Sequence, residues 1–168
     1  MKTVKKALVS GSSRGIGRGI AAVLCREGYQ VFVNGRKKEE VEKTCRELGP
    51  HAVPLVGDMV ASGSMKSLLS RFENGDGPLD LVVANIGSGR SNPGWEVSEE
   101  ETRRLFEINF FSTVNLCQWV VAHMKNRGGH LGAITSIAGH EALGAPIAYA
   151  AAKAGLLAYV KNISRPAA

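Results

Sequence analysis

The sequence predicts an α/β fold in three layers, a doubly wound parallel sheet covered by helices on both faces. Two observations predict it. Along the 168 residues, short apolar runs rich in β-branched residues alternate with longer segments of helical periodicity. Such alternation indicates parallel strands joined by right-handed crossovers, and the near-continuous apolar character of the runs fits strands that are covered on both sides.

The elements are predicted in chain order. Strands are expected at KALVS, QVFVN, HAVPLVG, LDLVVAN and HLGAITS, which are residues 6–10, 30–34, 51–57, 79–85 and 130–136. Helices are expected over 14–28, 37–49, 62–75, 98–125 and 148–163. Gly28, Gly49 and the glycines of NGDG at 74–77 stand where helix C-caps belong. The stretch GSGRSNPG, 87–94, is the candidate flexible loop. We expect the sheet order 3-2-1-4-5.

Composition restricts the class of protein. Hydrophobic content of 44% and charged content of 21% indicate a globular chain. The net charge of +6 is spread along the sequence, so it indicates either a solvated surface or attraction of an anionic ligand. The sequence contains no module that combines basic and aromatic residues, so nucleic-acid binding is not predicted. The cysteines and histidines lack metal-ligand spacing, and neither a signal peptide nor a membrane span is predicted, so we expect a metal-free, cytoplasmic protein.

A glycine-rich turn follows the first predicted strand. Gly11, Gly15 and Gly17 lie in SGSSRGIG, after a strand and at the opening of a helix. This context is typical of dinucleotide binding, because glycines let the backbone approach a pyrophosphate and the helix N-terminus offers free N–H groups. The structural alternative is a tight strand-to-helix turn without a ligand. No Gly-Lys-Ser/Thr follows, which argues against an NTPase.

The end of the second strand bears on the type of dinucleotide. NAD sites often carry an acid there for the ribose hydroxyls, whereas this strand ends Val33-Asn34-Gly35-Arg36. The Arg36 guanidinium suits a 2′-phosphate, and Arg14 in the glycine turn adds a second positive charge. The sequence therefore favours NADP(H) over NAD(H). The alternative is that Arg36 only solvates the start of the next helix.

Further motifs follow in order: Asp58 after the third strand, ANIG at 84–87, Asn109 in FEINFFSTVNL, Ser136 in AITSIAG, and YAAAK from Tyr149 to Lys153. Together with the glycine turn, these motifs resemble those of the classical short-chain dehydrogenases/reductases, most closely their 3-oxoacyl-carrier-protein reductase type. The resemblance covers nearly the whole chain. Ser10 replaces the usual threonine of the turn, and Ala84 and Ile86 depart from the NNAG pattern.

The resemblance implies a catalytic tetrad of Asn109, Ser136, Tyr149 and Lys153. Tyr149 would exchange a proton with the substrate oxygen while the cofactor supplies hydride. A phenol has an unperturbed pKa of about 10, and a nearby ammonium lowers the pKa by favouring the phenolate. Lys153 is placed for this one helical turn on. Ser136 would polarise the carbonyl, and Asn109 would hold a water of a proton relay.

The resemblance also implies cofactor contacts from the turn, the strand ends and the last helix: Gly11, Ser13, Arg14, Gly15, Ile16, Gly17, Arg36, Asp58, Met59, Asn85, Gly87, Tyr149 and Lys153. The loop with His140, Leu143 and Ile147 would face the substrate, the alternative being a surface loop. Segments 98–125 and 148–163 would form the interface of a homodimer or homotetramer.

Relatives in this family continue beyond the YxxxK helix, so we expect one domain over 1–168 that lacks the usual last strands and leaves the fifth strand at an edge. The expected function is that of an NADP-dependent oxidoreductase interconverting a small-molecule carbonyl and its alcohol. The alternative is a catalytically impaired module that binds nucleotide or a partner protein. The fold does not choose the substrate.

Overall fold

The computed structural model describes residues 4–91 and 94–165. The strands are β1 (Lys6–Val9), β2 (Gln30–Gly35), β3 (Ala52–Val56), β4 (Leu81–Ala84) and β5 (His130–Ala133). The helices are α1 (Gly15–Arg26), α2 (Lys38–Leu48), α3 (Ser62–Asn74), α4 (Glu99–Phe106), α5 (Ser112–Met124) and α6 (Ile147–Ile163). Strands and helices alternate as predicted.

The strands form one parallel sheet of five in the order β3-β2-β1-β4-β5. The predicted fold class and strand order are therefore confirmed. The sheet order changes direction between β1 and β4, which leaves a crevice at the carboxyl ends of these strands. Among the described residues, β5 pairs with β4 alone and forms one edge of the sheet.

Two apolar clusters cover the two faces of the sheet. Alternate residues of a strand point to opposite faces, so Leu8 joins one cluster while its neighbours Ala7 and Val9 join the other. The first cluster packs α3 and α5 against the sheet, and the second packs α1 and α2. Cys25, Cys45 and Cys117 are buried free thiols. The layers thus hold the strand ends in fixed register at the carboxyl edge.

Several strands were predicted to extend further than they do in the structure. The first strand ends at Val9 because Ser10 already begins the glycine turn. The fifth was predicted to reach Ser136 but ends at Ala133, and the Ser136 hydroxyl accepts a hydrogen bond from the Ala138 N–H at 3.2 Å to open a 3₁₀ turn (Ile137–Gly139). Side-chain capping of this kind competes with continued strand pairing.

The segment predicted as helical over 98–125 is not one regular helix. Helix α4 gives way to a five-residue π-helical turn (Glu107–Phe111), and α5 follows without a break. Turns of this kind often mark functional sites. Of the candidate flexible loop, residues 92 and 93 lie outside the described residues. In the described parts of the chain no helix is both long and apolar enough to cross a bilayer.

Candidate active site

The glycine turn between β1 and α1 has the backbone shape that its glycines allow. Gly11 and Gly15 have φ of 60° and 58°, in the left-handed region that disfavours side chains. At Gly17, a methyl group would lie 2.5 Å from the Asn85 Nδ2 and 2.7 Å from the Gly11 carbonyl oxygen. The turn is therefore folded tightly against the end of β4.

The first N–H groups of α1 have no side-chain cap, because Arg14 stands at the N-cap in an extended conformation without bonding to them. Arg14, Gly15 and Ile16 are exposed, so the positive end of the helix faces solvent. A helix N-terminus in this state attracts anionic groups. This geometry fits the pyrophosphate of a dinucleotide.

Two exposed arginines, Arg14 and Arg36, flank this position. Gly35, just before Arg36, has no room for a side chain, since a methyl group would lie 2.9 Å from both the Ser13 Oγ and a Val41 methyl carbon. Nearby, Glu40 pairs with Lys37 at 2.9 Å. The hydrogen bond from Lys37, with smaller contributions from the charges of Lys37 and Arg14, lowers the pKa of Glu40. The local surface therefore carries excess positive charge.

The third strand contributes Asp58 and Met59 at its carboxyl end. The half-buried Asp58 carboxylate accepts a hydrogen bond from the Val60 N–H at 2.8 Å, which fixes its direction. The Met59 side chain is 1% exposed and belongs to the core. Met59 can thus offer a ligand only its main chain, while the contact predicted for Asp58 remains a prediction.

Asn85 fastens the end of β4 to the glycine turn. Its amide nitrogen donates to the carbonyl oxygens of Ser10 and Gly11 at 3.0 and 3.1 Å, and its backbone N–H donates to the Ser10 hydroxyl at 2.9 Å. The adjacent Ile86 lies over the turn, its Cγ1 3.3 Å from where a Gly11 methyl group would stand. Two of the predicted motifs are therefore one hydrogen-bonded unit.

Gly87 marks the point where two residues of the predicted tetrad approach each other. A methyl group there would lie 3.1 Å from the Asn109 Oδ1 and 3.2 Å from the Lys153 Nζ. Asn109 lies in the π-helical turn and is fully buried, and its amide accepts from the Ser88 N–H and donates to the Ser88 and Leu105 carbonyls, each at 2.9 Å. The turn thus holds the Asn109 carboxamide beside the lysine.

Lys153 on α6 is 3% exposed, and its ammonium donates to the Ile134 carbonyl oxygen at 2.9 Å. Burial lowers the pKa of Lys153, because a desolvated ammonium is disfavoured. Gly139 allows the 3₁₀ turn to approach this part of α6, since a methyl group there would lie 2.7 Å from the Lys153 carbonyl carbon. Strand β5, the 3₁₀ turn and α6 therefore converge on Lys153.

Tyr149 and Ser136 complete the predicted tetrad. The half-buried Tyr149 ring faces Gly89, with two ring carbons 3.8 Å from where a Gly89 methyl group would stand. Tyr149 precedes Lys153 by one turn of α6. Ser136 is half-buried at the N-cap of the 3₁₀ turn. Beyond it, His140, Leu143 and Ile147 are exposed.

Asn34 was assigned no role from the sequence and was noted only for not being an acid. Its side chain is 2% exposed and hydrogen-bonds the glycine turn and the end of β3. Ser12 was also missed, and its buried hydroxyl donates to the Val9 carbonyl at 2.6 Å and accepts from the Asn34 N–H at 2.9 Å. The available signal was a polar residue ending an otherwise apolar strand.

Within 4–91 and 94–165, no group of three or more potential ligands could hold a metal ion.

Comparison with known proteins adds an independent finding. The model of the short chain dehydrogenase family matches residues 5–168. The 3-oxoacyl-[acyl-carrier-protein] reductase FabG of Escherichia coli K12 is 34% identical over 165 residues, which are 98% of this chain and 68% of that protein. The enzyme of the same name from Staphylococcus aureus Mu50 is 33% identical over 172 residues, covering 98% of this chain and 69% of that protein.

A solved structure is similar as well. A putative gluconate dehydrogenase from Agrobacterium tumefaciens superposes with a TM-score of 0.84 at 26% identity, over 90% of this chain and 62% of the other. The chain thus spans about two thirds of the length of the proteins that it matches.

Proposed function

The chain belongs to the short-chain dehydrogenase/reductase family of NAD(P)-dependent oxidoreductases, and we propose that it interconverts a small-molecule carbonyl and its alcohol with NADP(H). The observation that carries the proposal is the approach of the Asn109 carboxamide and the Lys153 ammonium at Gly87, with Tyr149 one helical turn away. Tyrosine and lysine are side chains that can take part in proton transfer to a carbonyl oxygen.

In the proposed reaction, Tyr149 gives its phenolic proton to the substrate oxygen during reduction. The Lys153 ammonium favours the phenolate that results. Ser136 hydrogen-bonds the substrate oxygen and polarises the carbonyl, and Asn109 holds a water through which Lys153 exchanges protons with solvent. The bound cofactor supplies hydride chemistry.

The residues at the sheet edge suit NADP(H) better than NAD(H). The uncapped start of α1 and the exposed Arg14 and Arg36 favour a ligand with an additional phosphate. The acid that binds a ribose 2′-hydroxyl in NAD sites has no room at Gly35 because of Ser13 and Val41. The remaining predicted contacts, from Gly11 to Lys153, are part of this proposal.

We further propose that residues 1–168 act as one dinucleotide-binding domain in the cytoplasm, which suits three free thiols. The segments 98–125 and 148–163 would pair two copies. Exposed Phe111 supports this, because its ring packs edge-on against Phe110, which in turn contacts Tyr159 of α6. A contiguous group of aromatic rings that reaches the surface is common at interfaces.

Turnover tests the assignment. The protein should oxidise NADPH when it is given a panel of carbonyl compounds. Tyr149→Phe should lower kcat by at least about a thousandfold and leave NADPH binding intact, because the ring remains and the proton is lost. Tyr29→Phe is the control, since this half-buried tyrosine precedes β2 at the opposite edge of the sheet. NADPH bound but never oxidised would instead favour the binding module.

Cofactor choice needs its own titration. Arg36→Ala should raise the NADPH Kd by about ten- to a hundredfold, since charge-assisted hydrogen bonds are worth about 1.5–3 kcal/mol each. The NADH Kd should stay unchanged. Arg26→Ala, an exposed arginine at the end of α1, serves as the matched control. Equal losses for both nucleotides would contradict the assignment of Arg36 to the 2′-phosphate.

A further inference from the structure

Asn34 is a buried amide that joins three strand ends. It follows Val33, the last residue of β2 that pairs with β1 in register. Its Oδ1 accepts from the Gly11 N–H at 3.1 Å, and its Nδ2 donates to the carbonyl oxygens of Leu55 and Gly57 at 3.0 and 3.1 Å. One side chain, 2% exposed, therefore bonds both neighbours of β2 at the carboxyl edge.

The main chain of Asn34 adds to this arrangement. Its carbonyl oxygen accepts from the Ser12 N–H at 2.8 Å, and its N–H donates to the Ser12 hydroxyl at 2.9 Å. The glycine turn is thus held to β2 where regular ladder pairing between β1 and β2 has ended. Because Asn34 takes up the Gly11 N–H, the contact proposed for Gly11 would not use this N–H as a phosphate donor.

The Nδ2 of Asn34 holds a different part of the sheet edge, the end of β3. Leu55 and Gly57 stand at the end of β3, and the next residue is Asp58. The Gly57 N–H donates to the Gly35 carbonyl at 2.9 Å, so the chain leaving β3 is held from two sides. Asn34 therefore sets the glycine turn relative to the segment that carries Asp58.

We propose that Asn34 is a positioning residue for dinucleotide binding, which fixes the distance between the phosphate-binding turn and the Asp58 segment without touching the ligand. This role rests on the proposed nucleotide-binding function. An asparagine is required because one group must accept from the Gly11 N–H while another donates twice. An aspartate of the same shape accepts but, when ionised, donates nothing, and would place an oxygen against two carbonyl oxygens.

Asn34→Asp tests this at two pH values. At about pH 8 the ionised variant should bind NADP⁺ at least about tenfold more weakly than the wild type, because two backbone acceptors lose their donor. At about pH 5.5 a buried carboxyl facing carbonyl groups regains a proton and can donate once more, so the ratio of the two Kd values should shrink severalfold. Calorimetric titration measures both, with circular dichroism showing that each sample is folded.

Asn74→Asp is the matched control, an exposed asparagine on α3 whose amide donates to the Ser70 carbonyl at 3.0 Å. It should change neither the affinity nor its pH dependence. A folded Asn34→Asp protein that binds NADP⁺ as tightly as the wild type at about pH 8 would overturn the role of Asn34 alone. Wild-type protein that binds neither NADP⁺ nor NAD⁺ would overturn the proposed function, and with it this role.

Amide exchange of the wild-type protein decides the case if the variant does not fold. The Gly11 N–H should exchange slowly without nucleotide because Asn34 holds it, whereas the exposed Gly15 N–H should exchange quickly. Equal, fast exchange at both glycines would overturn the proposal.

Discussion

At the scale of single residues, Lys153 is the side chain of the candidate site whose burial is least favourable for the fold. Its ammonium is withdrawn from water and has the Ile134 carbonyl as its hydrogen-bond acceptor among the described residues. A buried charge with neutral partners destabilises a fold unless several groups solvate it. The YxxxK spacing predicted that Lys153 belongs to the site. The acceptor, the carbonyl of Ile134 just after β5, was not predictable, because it depends on how two distant segments pack.

Replacing Lys153 should therefore separate activity from stability. We expect Lys153→Met to lower turnover by at least about a hundredfold and to raise the Tm by about 2–4 °C, because an apolar chain of similar length fills the space without a buried charge. Differential scanning fluorimetry and NADPH oxidation measure the two effects. The control is Lys161→Met, an exposed lysine on the same helix. A lower Tm than wild type would show that the ammonium is well solvated in the fold.

At the scale of elements, local patterns predicted the existence and order of strands and helices. Apolar periodicity and capping glycines are properties of neighbouring residues, so a sequence exposes them directly. The π-helical turn around Asn109 was missed because it is stabilised by bonds to Ser88, 21 positions away. Strand ends were missed for a similar reason, since hydroxyls such as those of Ser10 and Ser136 bond the backbone there.

The contact between α3 and α5 predicts that the stability of the fold depends on pH through His123. His123 on α5 stacks on Trp119 with ring centroids 4.4 Å apart, and Trp119 donates to Glu73 of α3 at 3.0 Å. Burial, assisted by the charge of Arg127, lowers the pKa of His123. A lowered pKa in the folded state means that this histidine contributes stability above its unfolded pKa of about 6.5, which is lost as the pH falls through the folded value.

His123→Phe keeps the stacked ring and removes the titration. From about pH 7.5 to about pH 5 the wild type should lose about 2 °C more in Tm than the variant. His51→Phe, at an exposed position before β3, should behave like the wild type. Parallel Tm profiles for the wild type and His123→Phe would rule out a contribution from His123.

At the scale of the whole molecule, one part of the surface carries a group of aromatic side chains. On the side formed by α4, the π-helical turn and α6, the ring of Phe110 packs edge-to-face against the rings of Phe106, Tyr159 and Phe111. Phe111 is 46% exposed. Burying such a ring against a second copy of the chain is favourable by about 25 cal/mol for each Å² of apolar surface that is removed from water. This is the surface on which we expect self-association.

Phe111→Glu should shift the protein toward monomer. Opposing carboxylates across a twofold interface would repel, and sedimentation velocity at micromolar concentration should show a smaller species than the wild type. Val23→Glu is a close control, because Val23 is also 46% exposed but lies on α1. An unchanged sedimentation coefficient for Phe111→Glu would place the interface elsewhere, or show that the wild type is already a monomer.

The glycine turn and the lysine are completed by parts of the chain that emerge from the ribosome at different times. Asn34 and Asn85 hold the turn, so its hydrogen bonds are available once β4 has been synthesised. Lys153 meets Asn109 and Ile134 only after α6 has docked, nearly seventy positions after Asn85. A nascent chain can therefore form the half that we propose to hold the nucleotide before the half that we propose to transfer protons exists. A bound nucleotide would then stabilise β1 to β4 while the rest is still being made.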